Sequence, residues 1–174
     1  MKSVLVHEPV PAEIEAVIQR RQALGQDRFD EVWGGVYHVT PGPGGPHAYL
    51  LNRLNVLLDP AATAAGLIGA TGFNLGSGPD DYRVPDCGFL RTIPTEVWVP
   101  SAVIVVEILS PDDETYEKFD FYAHHGVEEI FVVDPTERSF HIWQRSAGSY
   151  LQAASSDLLR FSEDDLVEAI VWPA

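Results

Sequence analysis

Apolar residues recur along the chain with two spacings, and each spacing predicts a type of element. Spacings of three and four residues are typical of a helix with one buried face. They predict three helices, over residues 11–24, 47–58 and 114–125. Short runs rich in β-branched and aromatic residues predict strands. The predicted strands cover residues 30–40, 67–75, 86–90, 102–109, 130–133, 139–144, 150–153 and 167–172. Because helices and strands alternate, we expect one α/β (α+β) domain over residues 1–174, with a mixed central sheet flanked by helices.

Glycine and proline mark where several of these elements end. Gly34 and Gly35 lie in the middle of residues 30–40 and predict a turn between two strands. Residues 41–46 alternate proline with glycine, which predicts a loop before the second helix. Residues 110–113 end a strand and are predicted to cap the third helix.

One carboxylate lies inside an apolar run. Glu107 is flanked by apolar residues from Ala102 to Leu109, a short β-branched stretch that is typical of a buried strand. An unpaired buried carboxylate costs several kcal/mol, so Glu107 requires a proton, a cationic partner or a metal ion. A buried ion pair, or a strand-end carboxylate that reaches solvent, would meet this requirement without any catalytic function.

A second acid, Asp86, follows Pro85 and lies 21 positions before Glu107, beside a predicted strand. Two carboxylates suit Mg²⁺ or Mn²⁺, which bind hard oxygen ligands and use substrate phosphate oxygens as further ligands. A turn acid after proline is the alternative interpretation of Asp86. Together the two acids predict a divalent-metal site.

Lys118 lies in the third predicted helix, eleven residues after Glu107, and Tyr122 lies one turn later on the same face. A lysine there can reach back over the end of the strand, where it would orient an attacking water or neutralise charge on a phosphate. An exposed pair between Lys118 and Glu114 is the alternative. Glu31, at the start of the first strand pair, is either a further acid of the site or an edge-strand charge.

Charge is distributed unevenly along the chain. The formal net charge of −15 over 174 residues argues against indiscriminate binding to a polyanion, and solubility explains most of it. Residues 1–91 hold 7 basic and 10 acidic residues, a net of −3, whereas residues 92–174 hold 4 basic and 16 acidic residues, a net of −12. Any nucleic acid should therefore face the first half. The candidates there for phosphate contact are Arg20, Arg21, Arg28, Arg53 and His47. His47 is included because it begins a predicted helix.

Several other classes of protein are disfavoured. No apolar stretch approaches the roughly 20 residues that span a bilayer, and the first eight residues lack the apolar core of a signal peptide. The single cysteine, Cys87, excludes an internal disulfide and fits a reducing compartment. We therefore expect a cytoplasmic protein without a membrane partner. The sequence has no Cys/His cluster for zinc, no Walker-type loop and no G-x-S-x-G motif.

Several strings of the sequence are similar to those of a known family. They are DEVWGGVYH at residues 30–38, followed by Pro41 and His47, then PD at 85–86, VVEILSP at 105–111, EKFDFYAHHGV at 117–127 and IFVVDP at 130–135. These strings resemble the Uma-type restriction endonucleases, which belong to the PD-(D/E)XK nuclease superfamily. The resemblance runs from about residue 28 to residue 144. It implies a restriction-endonuclease-like domain.

The resemblance also implies roles for individual residues. Asp86 and Glu107, with the backbone carbonyl of Ile108, would hold Mg²⁺ or Mn²⁺, and Glu31 would be an additional acid that supports this cation or a second one.

The chain departs from the superfamily pattern at one position. That pattern has a lysine two residues after the glutamate, where this chain has Leu109. In families of this type the lysine lies on the following helix, which matches Lys118, and Tyr122 matches a tyrosine one turn later.

The expected function is that of a Mg²⁺-dependent endonuclease that hydrolyses DNA phosphodiester bonds. One alternative is a catalytically degenerate nuclease fold that binds a partner protein, which the acidity and the missing strand lysine favour. Another is a metal-dependent phosphoesterase that acts on small molecules. A homodimer would allow so small a nuclease to cut both DNA strands symmetrically.

Overall fold

The structure, a computed structural model, describes residues 4–7, 9–111 and 114–173. Its strands are β1 (Val4–Val6), β2 (Glu31–Trp33), β3 (Val36–Val39), β4 (Ile68–Thr71), β5 (Asn74–Gly78), β6 (Asp81–Arg83), β7 (Cys87–Leu90), β8 (Trp98–Val99), β9 (Ile104–Ile108), β10 (Glu129–Asp134), β11 (Ser139–Ser146) and β12 (Ser149–Ala153). Its helices are α1 (Ala12–Ala23), α2 (Gly45–Ala64), α3 (Phe119–His124) and α4 (Glu163–Ala169), with a 3₁₀-helix at Thr115–Lys118.

Within the described residues the strands form two mixed sheets. Sheet 1 has the order β1-β3-β2-β6-β5-β8, and sheet 2 has the order β12-β11-β10-β9-β7-β4. Sheet 1 contains the parallel pair β5–β8, and sheet 2 contains the parallel pair β9–β10. The α+β class with mixed strands flanked by helices is confirmed. The predicted central sheet is divided into two, because the chain passes repeatedly between the sheets, after β3, β4, β6, β7 and β8.

Sheet 2 is covered on both faces, which explains the continuous apolar run around Glu107. On one face, α2 contributes four fully buried residues at four-residue intervals, Leu50, Leu54, Leu58 and Ala62. On the other face, Phe121 and Tyr122 of α3 pack with Leu75 of sheet 1. All five residues of β9 are buried.

Residues 84–86 carry the chain from sheet 1 to sheet 2, between β6 and β7. The first residues of β7 then pack tightly against β9. A Cβ at Gly88 would lie 2.8 Å from the carbonyl oxygen of Ile104 and 3.0 Å from Cζ of Phe73, so only glycine fits there. This close approach places Asp86 beside the carboxyl end of β9.

The prediction of a strand at residues 167–172 is wrong, because the first part of this range belongs to α4. The backbone N–H of Asp165 donates to Ser162 Oγ (3.1 Å), and the Asp165 carboxylate accepts the N–H of Ser162 (3.0 Å). This reciprocal capping box starts a helix, and three acids in its first turn favour the helix N-terminus. Leu166, fully buried, attaches α4 to the core.

Other predicted bounds changed in detail. Helix α2 continues to Ala64 despite Pro60 in its interior. Its last turn is held by the packing of Ala62, which is fully buried in the core. The predicted strand at residues 67–75 is divided between β4 of sheet 2 and β5 of sheet 1. The third predicted helix starts as the 3₁₀-helix and becomes α3. Part of its predicted cap, residues 112–113, lies outside the described residues.

Helix α1 follows its predicted bounds, but none of its residues is buried. Its apolar residues Ile14 and Val17 are 40% and 55% exposed. None of the described helices is long and apolar enough to cross a membrane.

Candidate active site

Asp86 lies at the crossover between the two sheets, and both of its carboxylate oxygens have partners. Oδ2 accepts the backbone N–H of Ile108 at 2.8 Å, which ties the crossover to the last residue of β9. Oδ1 lies 2.8 Å from Nε2 of His47, in the first turn of α2. The side chain of Asp86 is about one-fifth exposed. Asp86 therefore joins sheet 1, sheet 2 and α2 at one point.

Glu107 lies on β9 and is 3% exposed. Its Oε1 accepts hydrogen bonds from Nζ of Lys118 (3.2 Å) and from the hydroxyl of Tyr122. Its Oε2 accepts no hydrogen bond from the described residues. Burial raises the pKa of Glu107 to about 7 against the attraction of Lys118, and the negative charges of Asp86 and Glu31 raise it further. The carboxylate thus favours a proton or a bound cation.

Lys118 connects Glu107 to sheet 1. Its Nζ lies 3.0 Å from Oε1 of Glu31. Glu31 is itself held by the N–H of Val84 (2.8 Å) and by Nε1 of Trp33 (2.7 Å). Burial opposes the charged form of the lysine, yet the two glutamates raise the pKa of Lys118 above its ordinary value. Lys118 is therefore a permanent cation at neutral pH.

Tyr122 lies one turn beyond Lys118 and is fully buried. Burial, followed by the charge of Glu107, raises the pKa of Tyr122 well above its ordinary value. The hydroxyl therefore stays protonated and, as a hydrogen-bond donor, holds the Glu107 carboxylate in place.

The donor set suits a hard divalent cation. Glu31, Asp86 and Glu107 supply three carboxyl groups, and Lys118 supplies one positive charge. In a regular strand a residue directs its N–H and C=O to the same side, and the N–H of Ile108 donates to Asp86, so we expect its carbonyl on that side too. Two carboxylates and a carbonyl match the oxygen preference of Mg²⁺ and Mn²⁺. Among the described residues no group of three or more His, Cys, Asp or Glu side chains could hold a metal ion, so water and substrate oxygens would have to complete the coordination.

These groups line a pocket of about 480 Å³. Its walls include Glu31, Asp86, Glu107, Ile108, Leu109 and Lys118. Another part of the wall is formed by Phe29, by the loop at residues 40–44 and by Pro46 and His47 in the first turn of α2. The structure thus brings together the residues predicted from the two sheets, the 3₁₀-helix and α3. Leu109 stands where the resemblance predicted a lysine, while the Lys118 ammonium reaches Glu107.

The arginines predicted to contact phosphate do not line this pocket in the described part of the chain. Arg21 forms a two-point ion pair with the buried Asp30, through Nη2–Oδ1 (2.8 Å) and Nε–Oδ2 (3.1 Å), and so anchors α1. Arg20 and Arg28 are exposed, and Arg53 is half-buried on α2. His47 does line the pocket, where it contacts Asp86.

The sequence analysis did not predict the role of Arg83, which packs against Trp33 of the Glu31 strand. The guanidinium of Arg83 lies between the rings of Trp33 (4.4 Å) and Phe121 (4.0 Å), and its Nη1 donates to the carbonyl of Val32 (2.8 Å). The ring of His38 stacks on Trp33 at 4.2 Å. One signal was available, because Trp33 lies two residues after Glu31 and therefore on the same face of the strand.

The chain is similar to a known family and to a solved structure. The family model described as "Uma2: Putative restriction endonuclease" matches residues 19–171, which confirms the resemblance seen in the sequence. A crystal structure described as that of "a putative nuclease belonging to DUF820", from Anabaena variabilis ATCC 29413, aligns with a TM-score of 0.63. It is 18% identical, and the alignment covers 80% of this chain and 90% of that chain. At this identity the likeness shows a shared fold. No curated protein matches the chain.

Proposed function

Because the chain belongs to the Uma2 family, we propose that it is a divalent-metal-dependent endonuclease that hydrolyses DNA phosphodiester bonds. The observation that carries the proposal is the convergence of Asp86, Glu107 and Lys118 in one pocket. Two acids and one fixed cation meet there at the end of a buried strand. This arrangement supplies oxygen ligands on one side and a positive charge for a phosphate on the other.

Asp86, Glu107 and the carbonyl of Ile108 would hold Mg²⁺ or Mn²⁺. Such an ion, when bound, polarises a phosphodiester and lowers the pKa of a bound water. The raised pKa of Glu107 supports this assignment, because a bound cation would remove the cost of burying the charged carboxylate. The short contact from Asp86 to the Ile108 N–H keeps the two acids at a fixed separation.

Lys118 acts as a charge and not as a base. An ammonium group that stays protonated cannot take a proton from water, but it can orient a water or stabilise charge that develops on phosphate oxygens. Glu31 positions this ammonium, since its own oxygens already accept from Val84, Trp33 and Lys118. We therefore assign Glu31 to holding the lysine and no longer to a second cation.

The second candidate is a binding module without catalysis. The acidic pocket favours it, since arginines are missing from the described lining and phosphate binding relies on basic residues. Its other support is the lysine missing at Leu109, and the contact of Lys118 Nζ with Glu107 Oε1 (3.2 Å) weakens that support.

The test is cleavage of a supercoiled plasmid and of a circular single strand, each with Mg²⁺ or Mn²⁺. Glu107→Gln and Lys118→Met should each reduce the cleavage rate at least about 100-fold, because each removes a charge next to the reacting phosphate. Glu117→Gln, a neutralised exposed acid next to Lys118, should cleave like the parent. Cleavage that survives Glu107→Gln would contradict the proposed site. A parent that cleaves neither substrate with either metal would favour the binding module.

A further inference from the structure

Phe29 is an aromatic side chain that lines the pocket and is not buried. It lies two residues before β2 and is 37% exposed. One edge of its ring faces Gly42, where a Cβ would lie 3.8 Å from Cε2 and 4.0 Å from Cδ2. The loop therefore supports the ring from one side, while a third of the residue stays open. A supported and partly open aromatic ring provides a stacking surface.

The wall next to Phe29 is apolar and stiff. The loop contributes Pro41 and Pro43, with Gly42 and Gly44, and the first turn of α2 contributes Pro46. Proline has a restricted backbone and no N–H to donate. This wall therefore offers little hydrogen bonding to phosphate oxygens and favours contact with a flat, apolar group.

The charges of the pocket oppose binding through phosphates alone. Within the described lining, Lys118 and His47 are the basic side chains, and both already contact carboxylates. Duplex DNA draws much of its affinity from many simultaneous phosphate contacts. A pocket with three acids and one lysine cannot supply those contacts. Single strands obtain affinity in another way, because each unpaired base can stack on an aromatic ring.

We propose that this pocket takes an unpaired nucleotide of a single strand, whose base stacks on Phe29. The adjoining phosphate would lie towards Asp86 and Glu107, and this part of the proposal rests on the proposed nuclease function. The loop at residues 40–44 and the first turn of α2 would form the side wall of the base site. Single-stranded nucleic acid is thus the preferred substrate class, and duplex DNA binds poorly unless it is locally open.

The test measures binding separately from cleavage. Short oligonucleotides carry the fluorescent base 2-aminopurine, whose emission changes on stacking, and Ca²⁺ serves as an oxygen-liganded cation. Single-stranded DNA, single-stranded RNA and duplex DNA of one sequence are titrated in parallel. Phe29→Leu keeps an apolar side chain against Gly42 but has no aromatic face. Phe29→Tyr keeps that face, and Tyr49→Ala removes an exposed aromatic ring of α2 that does not line the pocket.

We expect the parent to bind a single strand at least tenfold more tightly than the duplex. Phe29→Leu should weaken single-strand binding roughly 5- to 100-fold, the usual range for one stacked base. Phe29→Tyr and Tyr49→Ala should bind like the parent. One of the two single strands, DNA or RNA, should bind more tightly and lose affinity in Phe29→Leu. That strand identifies the sugar of the preferred substrate.

Equal binding of duplex and single strand, or parent-like binding by Phe29→Leu, would overturn the stacking site. This failure is distinct from failure of the nuclease. Cleavage of the circular single strand that is unaffected by Phe29→Leu would keep the nuclease and remove the stacking site. Phe29-dependent binding without cleavage would keep the stacking site and remove the nuclease. Thermal melting of each variant establishes that it is folded.

Discussion

Two glutamates are buried in neighbouring strands of sheet 2, and only one of them lies in the candidate active site. Glu107 on β9 is 3% exposed and Glu129 on β10 is 2% exposed. The strands are parallel, and Glu129 pairs with Ile104 whereas Glu107 pairs with Val132. The two acids are therefore three residues apart along the strand direction, roughly 10 Å. Their difference lies in what surrounds each carboxylate.

Glu129 is satisfied by neutral donors. It accepts hydrogen bonds from Ser156 Oγ (2.5 Å), the N–H of Asp157 (2.9 Å) and Nε2 of Gln144 (3.3 Å). Ser156 and Asp157 belong to the segment that leads from β12 to α4, so their hydrogen bonds to Glu129 hold that segment in place. Glu129 is therefore a structural acid, which attaches a loop to the end of a strand.

Within the described part of the chain, Glu107 accepts hydrogen bonds on one oxygen only. Lys118 and Tyr122 both donate to Oε1, and the negative charges of Asp86 and Glu31 act on the same carboxylate. The comparison teaches that burial of a carboxylate does not by itself mark an active site. Glu107 is the better candidate for an active-site acid, because one of its oxygens has no hydrogen-bond donor among the described residues and like charges lie nearby.

The largest expected effect on stability is at Glu129. Glu129→Ala should lower the free energy of unfolding by about 3 kcal/mol, because the Ser156 hydroxyl and the Asp157 N–H would lose their acceptor. Urea denaturation measures the change. Glu128→Ala is the matched control, since Glu128 forms an exposed pair with Arg91 at 2.7 Å and should lose less than about 1 kcal/mol. Equal losses in the two variants would mean that Glu129 does not hold the loop.

The second-largest effect distinguishes the two acids by the stability that the protein gains when it binds Mn²⁺. At a Mn²⁺ concentration 100 times its Kd, the folded parent should gain about 2.7 kcal/mol, or about 5 to 10 °C in melting temperature. Glu107→Gln should lose this gain, whereas Glu129→Gln should keep it. Thermal melting with and without Mn²⁺ measures both. A gain that depends on Glu129, or a parent that gains nothing, would contradict the difference drawn between the sites.

The smallest effect compares one donor at each acid. Tyr122→Phe removes the hydroxyl that donates to Glu107 and should cost about 1 kcal/mol. Ser156→Ala should cost about 2 kcal/mol, because Ser156 Oγ also accepts the N–H of Leu159 (2.9 Å). Urea denaturation of both variants gives the order. The opposite order would mean that the Glu107 end of the sheet depends more on neutral hydrogen bonds than the Glu129 end does.

Local patterns were sufficient for much of this protein. The apolar run around Glu107 predicted a buried strand, and this prediction is confirmed because such patterns and the cost of burying a charge depend mainly on neighbours in the chain. Spacing alone left an exposed pair with Glu114 as the alternative for Lys118. The family resemblance pointed to Lys118 and Tyr122, and both donate to Glu107. The strand predicted near the C-terminus was wrong because the capping box at Ser162 and Asp165 prevailed over the apolar residues after it.

The sequence by itself determined most of the element types, the α+β class and the need to compensate the charge of Glu107. Only the tertiary structure decided that there are two sheets, that Asp86 lies at the crossover and that Glu31 holds Lys118. It also decided that Arg21 anchors α1 and that Phe29 stays open at the pocket. The physical reason is distance along the chain. Contacts such as Lys118 to Glu31, 87 residues apart, depend on how separate sheets pack, and no local spacing encodes that packing.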